Sequence, residues 1–186
     1  MNRTGFLQHS LAEGEMFPDF ILPSAEGKLV ALADVLARGP AVISFFRGEW
    51  CPFCRLMLDA LSDSLPEIEA SGASLLALTP ETGGLPLVMK ERHQARFEVL
   101  SDVDCGVGLN AGVIFRLPRL YRARLEKAGL HARERHGNDT WFLPVPATYI
   151  VGTDGLVAWR FADVDFVRRP EPADILAALR RLPAQD

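Results

Sequence analysis

The strongest constraint in this chain is a junction. A continuous apolar run, Ala41-Val42-Ile43-Ser44-Phe45-Phe46, breaks at Gly48, and a Cys51-Pro52-Phe53-Cys54 segment follows almost at once. Bounded by Gly39-Pro40 and Gly48, such a run fits a strand over 41–46 buried on both faces. From Pro52 the pattern changes: Leu58, Leu61, Leu65 and Ile68 recur at spacings of three and four, which aligns them on one helical face. Pro52 suits the first helical position, where its missing N–H costs nothing. Cys51 then falls at the N-cap and Cys54 one turn in. The chain must pass from a buried strand, through a short turn, into a helix whose tip carries two cysteines.

The other elements follow from similar signals. Residues 1–40, punctuated by glycine and proline, predict short strands or turns and one short helix over 32–37. Pro66 should kink or break the helix that runs from 52 to about 70, and Gly72 should end it as a left-handed cap. A second buried strand is predicted over 74–78, a helix over 87–94 and a short strand over 97–100. Strands over 147–151 and 156–161 flank the hairpin turn Gly152-Thr153-Asp154-Gly155. A C-terminal amphipathic helix over 173–182 follows Pro170 and Pro172. The order βαβα, then ββα, predicts an α/β fold: a central mixed β-sheet flanked by helices on both faces. With 186 residues, the chain suits a single domain over 1–186, long enough to bury a core without staples.

A helix N-terminus carries partial positive charge and unpaired N–H groups, and both favour a thiolate over a thiol. Cysteine pKa values at such tips fall from ~8.5 to roughly 3.5–7.5, and the thiolate is the nucleophile. The i, i+3 spacing puts Cys51 and Cys54 on one face, with a Cα separation near the ~5.5–6 Å that a disulfide prefers. The competing reading of a CxxC is half a zinc site, which needs further ligands of the CxxC or HxxxH type. Only Cys105 and the pair His131 and His136 are on offer, so no metal is expected. Haem attachment requires His after the second cysteine, and Arg55 stands there. No small-molecule cofactor is indicated.

Three cysteines are too few for a disulfide scaffold. Residues 1–20 lack an apolar h-region, since Arg3, Gln8, Glu13 and Glu15 interrupt them, and no stretch approaches the ~18–20 apolar residues of a membrane span. The expectation is a cytoplasmic protein in a reducing compartment, with no membrane association. A net charge of −4 gives the chain no electrostatic reason to bind nucleic acid. Residues 116–136 depart from the even charge: seven basic residues stand against two acidic ones, a surplus of five that leaves −9 for the rest. They read either as a solvated helix or as a docking face for an acidic protein partner.

Phe45-Phe46-Arg47-Gly48-Glu49-Trp50-Cys51-Pro52-Phe53-Cys54 resembles the active-site segment of peroxiredoxin-like proteins, the alkyl hydroperoxide reductase / thiol-specific antioxidant group of the thioredoxin superfamily. Similar segments include Gly14 through Pro23, Leu65 through Ala73, Leu100-Ser101-Asp102, Thr148 through Val151 and the Asp154-Gly155 turn. The resemblance implies a thioredoxin-like fold. It also implies reduction of peroxides or disulfides with electrons from a thiol donor such as thioredoxin or glutathione, and it admits a homodimer. The family's Pro, Thr, Cys and late-strand Arg fall on Arg47, Cys51, Cys54 and Pro146, so three of the four groups are replaced. Trp50-Cys51-x-x-Cys54 instead resembles the thioredoxin motif, and Pro146 matches the cis-proline that faces it; a trans loop proline is the alternative.

Two cycles fit the pair. In one, Cys51, nearer the helix tip and more exposed, attacks a disulfide or sulfenic acid, and Cys54 resolves the product. In the other, Cys54 attacks peroxide and Cys51 condenses with the sulfenic acid. Arg47 either lowers a thiolate pKa or is a surface charge on the turn, beside Glu49. Trp50 either shields the pair or simply packs. Arg168 and Arg169, after the late hairpin, could face the pocket, but solvent exposure is the stronger reading; Cys105 reads as a buried small hydrophobe. The rival class is a redox sensor or binding module switched by the same pair; a structural domain with an inert pair is the third reading.

Overall fold

The computed structural model describes residues 3–182; residues 1–2 and 183–186 of the expected single domain lie outside the described residues. In chain order the elements begin with α1 (Arg3–Phe6), β1 (Ile21–Pro23), β2 (Leu29–Ala31) and α2 (Leu32–Leu36). Next come β3 (Ala41–Phe45), α3 (Pro52–Ala70), β4 (Ser74–Thr79), α4 (Leu85–Arg92), β5 (Glu98–Ser101) and α5 (Gly106–Asn110). The chain ends with β6 (Ile114–Arg116), α6 (Arg119–Lys127), α7 (Ala132–His136), β7 (Phe142–Pro144), β8 (Ala147–Val151), β9 (Val157–Ala162) and α8 (Pro172–Leu179).

Five strands form the central sheet in the order β5-β4-β3-β8-β9. β3 pairs parallel with β4, and β4 with β5; β8 is antiparallel to both β3 and β9. The sheet is therefore mixed, as the element order predicts. Side chains alternate along β3. Ala41, Ile43 and Phe45 face a core completed by Phe17, Phe20, α2 and Tyr149. Val42 faces the opposite core, built from α3, α8 and Met89. Ser44, on this second side, is buried but satisfied, its hydroxyl 2.9 Å from that of Thr148 on β8. A strand with an apolar core on each face needs apolar residues at successive positions, which is why β3 reads as a run rather than an alternation.

The expected break at Pro66 does not occur: α3 runs unbroken from Pro52 to Ala70. Pro66 faces solvent while Leu58, Leu61, Leu65 and Ile68 are buried against the sheet. Burying each of these side chains contributes roughly 1.5–3 kcal/mol, enough together to hold the helix across one missing hydrogen bond. Gly72 caps it with φ +75°, as expected. The hairpin between β8 and β9 closes through Gly152 N–H to Leu156 O and Gly155 N–H to Gly152 O, both 2.9 Å.

The basic segment is an excursion from this body. It leaves on β6 and returns on β7, which pair with each other as a two-stranded ribbon. Between them stand α6, which has no buried residue, and α7.

Candidate active site

The loop from β3 to α3 carries the candidate residues. Phe46 N–H bonds Leu78 O at 2.8 Å, which extends the sheet one residue past β3. The chain then turns at Gly48, whose φ is +128°. Cys51 is the N-cap of α3, in extended conformation, with Pro52 exposed at the first helical position. Cys51 O accepts from the N–H groups of Cys54 and Arg55 at 3.0 and 3.1 Å. The junction thus forms as the residue pattern requires.

Both cysteines are buried. Cys51 is 3% exposed and Cys54 0%, so the expected order of exposure holds, but neither sulfur lies open at the helix tip. The two thiols titrate as one pair. Cys51 is pulled down to about 6, first by the hydrogen bond from the Cys54 thiol. Burial opposes this, and the Cys54 N–H and the Arg47 and Arg169 guanidiniums assist it. Cys54 is pushed well up, first by that same bond with Cys51 and then by burial. One proton therefore leaves the pair readily, and the second is held. Cationic and N–H groups converge on Cys54: Arg47 N–H lies 3.4 Å from its Sγ, and Arg169 Nη2 lies 3.7 Å from it.

A depressed pKa means the thiolate persists above it and is lost as pH falls through it. Ultraviolet thiolate absorbance of the reduced protein should accordingly show one thiolate per chain with a midpoint near pH 6. A titration with no thiolate below the ordinary cysteine value of ~8.5 would contradict this account.

Arg47 is not a loose surface charge. Its Nε donates to Pro144 O at 3.1 Å, and its guanidinium lies over the rings of Phe115 and Phe166, 5.4 and 5.2 Å from their centroids. Burial pushes its pKa down, while the two cysteines push it up. Phe166 also packs edge-on against Phe53, with centroids 5.6 Å apart. Trp50 donates its indole N–H to Arg47 O at 3.0 Å. It is half-buried between the core that holds the cysteines and a small cluster of Leu130, Ala132 and Trp141. Trp50 therefore packs on both sides of the site and helps cover it.

Two expectations are corrected here. Pro146 is buried after β7, but no cis peptide bond occurs among the described residues. The bond before it is trans, and its O accepts from Asp163 N–H at 3.1 Å. It is Pro144, not Pro146, whose carbonyl touches the site, through Arg47. Of the two arginines for which exposure is the stronger sequence reading and the pocket the alternative, Arg169 turns inward to Cys54, whereas Arg168 stays out and pairs with Asp163 at 2.9 Å. Only the return of the chain after β9 brings Arg169 to the thiol, 115 residues away in sequence. Cys105 is buried away from cations; burial first, then Asp102 and Asp104, pushes its thiol up to about 12, consistent with an inert small hydrophobe.

Two buried carboxylates behind the loop escaped the sequence reading. Glu81, 0% exposed, accepts from Glu49 N–H at 2.9 Å and from Arg135 Nη1 at 2.6 Å. Glu49, named only as a flanking charge, is buried and held by Arg92 Nη1 at 2.7 Å and His93 Nε2 at 3.0 Å. His93 also reaches Asp59 of α3 at 2.6 Å. The loop is thus tied to the end of β4, to α3, to α4 and to α7 at once. No local pattern marks Glu81, whose partners lie 32 and 54 residues away.

A buried cysteine pair at the head of the helix that leaves the middle strand of such a sheet is a thioredoxin-superfamily arrangement, and the protein is peroxiredoxin-like within it. The model described as the AhpC/TSA family matches residues 14–160, and the chain belongs to that family. It is 28% identical to peroxiredoxin bcp1 of Schizosaccharomyces pombe over 48% of this chain and 46% of that protein. It is 31% identical to the thiol-disulfide oxidoreductase ResA of Geobacillus thermodenitrificans over 47% and 48% respectively. The chain thus spans about half the length of these curated relatives. Among solved structures, it matches peroxidoxin BcpB from Mycobacterium tuberculosis with a TM-score of 0.73 at 21% identity, covering 94% of this chain and 99% of that one. At that identity the likeness concerns the fold.

Proposed function

We propose that the protein is a thiol-dependent oxidoreductase that cycles Cys51 and Cys54 between dithiol and disulfide while it reduces peroxides or disulfides. One observation carries this reading. Two buried thiols, one helical turn apart at the head of α3, share a site where Arg47 N–H and Arg169 Nη2 reach Cys54 Sγ at 3.4 and 3.7 Å. With a peroxide ROOH, the Cys51 thiolate attacks the outer oxygen and the O–O bond breaks. The alkoxide leaves and takes a proton, and Cys51 becomes a sulfenic acid. Cys54 then attacks that sulfur, and water leaves with the Cys54 proton. The Cys51–Cys54 disulfide that results is returned to the dithiol by two electrons and two protons from an external thiol donor. With a disulfide substrate, Cys51 attacks one sulfur and Cys54 resolves the mixed disulfide.

A second reading has Cys54 attack the peroxide first. What favours it is the convergence of Arg169 Nη2 and Arg47 N–H on Cys54 Sγ, together with its alignment with the family's cysteine. In typical family members the guanidinium comes from the late strand, where this chain has Pro146. Arg169 supplies it here from the loop after β9.

Rapid mixing of reduced protein with stoichiometric hydrogen peroxide, followed by thiol counting, tests the peroxide arm. Both pair thiols should vanish faster than a free small-molecule thiol would react. If they react no faster, peroxide is not the substrate, and protein or small disulfides are. Sulfenic acid trapping in Cys51→Ser and Cys54→Ser separates the two orders of attack.

A further inference from the structure

The ribbon that carries the basic segment is rooted at the site. Phe115 of β6 lies under the Arg47 guanidinium, and Pro144 of β7 accepts from Arg47 Nε. Trp50, next to Cys51, packs against the cluster of Leu130, Ala132 and Trp141, as do Leu117 and Leu125 from the basic segment. The helix pair between β6 and β7 therefore stands beside the loop that holds the cysteines.

Its basic residues outnumber their acidic neighbours on one side. Arg133 pairs with Asp139, and Arg135 with Glu81. Among the described residues, Arg116, Arg119, Arg122, Arg124 and Lys127 form no ion pair. Desolvation and the nearby Arg116 and Arg119 push the Arg122 pKa down, and Glu126 only partly offsets them. A stable fold gains nothing from crowding like charges. Amid them Leu120 is 66% exposed and Tyr121 53%, with the Arg124 guanidinium 5.9 Å from the Tyr121 ring centre. Exposed tyrosine and arginine are residue types in which protein interfaces are enriched.

We propose that α6 and the Arg116 end of β6 form the docking face for an acidic dithiol protein that reduces the Cys51–Cys54 disulfide. This rests on the thiol cycle proposed above and names its electron donor by charge. A donor thiolate attacks Cys51 Sγ, since Cys51 is the cysteine nearer the helix tip and Cys54 is wholly buried. The Cys51–Cys54 bond breaks and Cys54 leaves as a thiolate, then takes a proton. The donor's second thiol attacks the mixed disulfide, so the donor leaves oxidised and Cys51 returns as a thiolate. Residues 116–127 carry five basic side chains against Glu126, a net charge of +4, which would steer an acidic partner to this edge, because steering raises association rates where opposite fields meet.

The test measures the rate constant for reduction of the oxidised protein by two donors, dithiothreitol and an acidic thioredoxin. A thioredoxin carrying lysine substitutions that make it net positive serves as control. The variant is Arg119→Glu with Arg124→Glu, two exposed positions with no part in the cysteine site. The variant should lose about tenfold or more with the acidic donor, the lower end of electrostatic steering, and keep the wild-type rate with dithiothreitol. Wild-type reduction by the acidic donor should slow as salt rises, and the variant should be nearly insensitive. An unchanged rate with the acidic donor, an equal rate with the net-positive donor, or a matching loss with dithiothreitol each overturns the docking face. Salt-sensitive self-association of wild type that the variant lacks would assign the face to a second copy and overturn it too. Failure of dithiothreitol to reduce any Cys51–Cys54 disulfide would instead overturn the thiol cycle itself.

Discussion

Cys51→Ser and Cys54→Ser should each lose steady-state turnover, with any substrate and any thiol donor, down to the background of a protein without the pair. The reason is geometric as well as chemical. The two sulfurs lie one helical turn apart, both buried, with the third cysteine elsewhere and its thiol pushed up to about 12. No other thiol of the chain can take the place of either partner. The single variants should still differ. Cys54→Ser removes the thiol whose hydrogen bond is the main cause of the low Cys51 pKa, so the remaining Cys51 should titrate above 6. Cys51→Ser leaves Cys54 with Arg169 and the Arg47 N–H but without its main competitor for the proton, so Cys54 should titrate lower than in the wild type. Turnover assays and thiolate titration of the two variants check both statements. Full activity in either variant rules out the two-cysteine cycle.

Gly48→Ala should destabilise the protein by about 3 kcal/mol or more, which a urea unfolding curve will show as a lower midpoint. A Cβ at this position would lie 2.4 Å from Glu81 Cδ and within 2.7 Å of both carboxylate oxygens. The backbone there has φ +128°, a conformation that side chains rarely adopt and that costs of order 1–3 kcal/mol. Glu81 cannot swing away cheaply. It is wholly buried, and its oxygens are held by Arg135 and by Glu49 N–H. Driving a buried carboxylate from its cationic partner costs on the order of 3–5 kcal/mol. Adding Glu81→Ala to Gly48→Ala should therefore cost less than the sum of the two single changes, because the second mutation removes the clash created by the first. A Gly48→Ala protein as stable as wild type would show that the loop relaxes around the methyl group, and that the carboxylate clasp does not hold it.

The contrast between these two predictions shows where information lay. The cysteine pair is a local feature. Strand, turn, Pro52 and apolar helix face are encoded within one short stretch, so hydrophobic pattern and capping preference suffice to place both sulfurs at the head of α3. The same holds for the hairpin turn between β8 and β9, for the Gly72 cap and for the mixed sheet. Pro66 does not break α3 because propensity is local while burial is not: four side chains packed on the sheet outweigh one lost backbone bond. Pro146 matched a thioredoxin position by alignment, yet peptide geometry depends on the strands on either side, and these hold it trans.

Composition, periodicity and the Cys51-Pro52-Phe53-Cys54 spacing by themselves determined the fold class, the position of the thiol pair and the unusual charge of residues 116–136. Only the tertiary structure decided what surrounds the pair. Arg169 reaches Cys54 from 115 residues away, Glu81 and Arg135 meet across 54, and Arg47 finds Pro144 across 97. The physical reason is that charge stabilisation in a buried site depends on distances of a few ångströms between groups brought together by packing. Nothing in a linear spacing reports which cation, out of twenty lysines and arginines, the fold will turn inward.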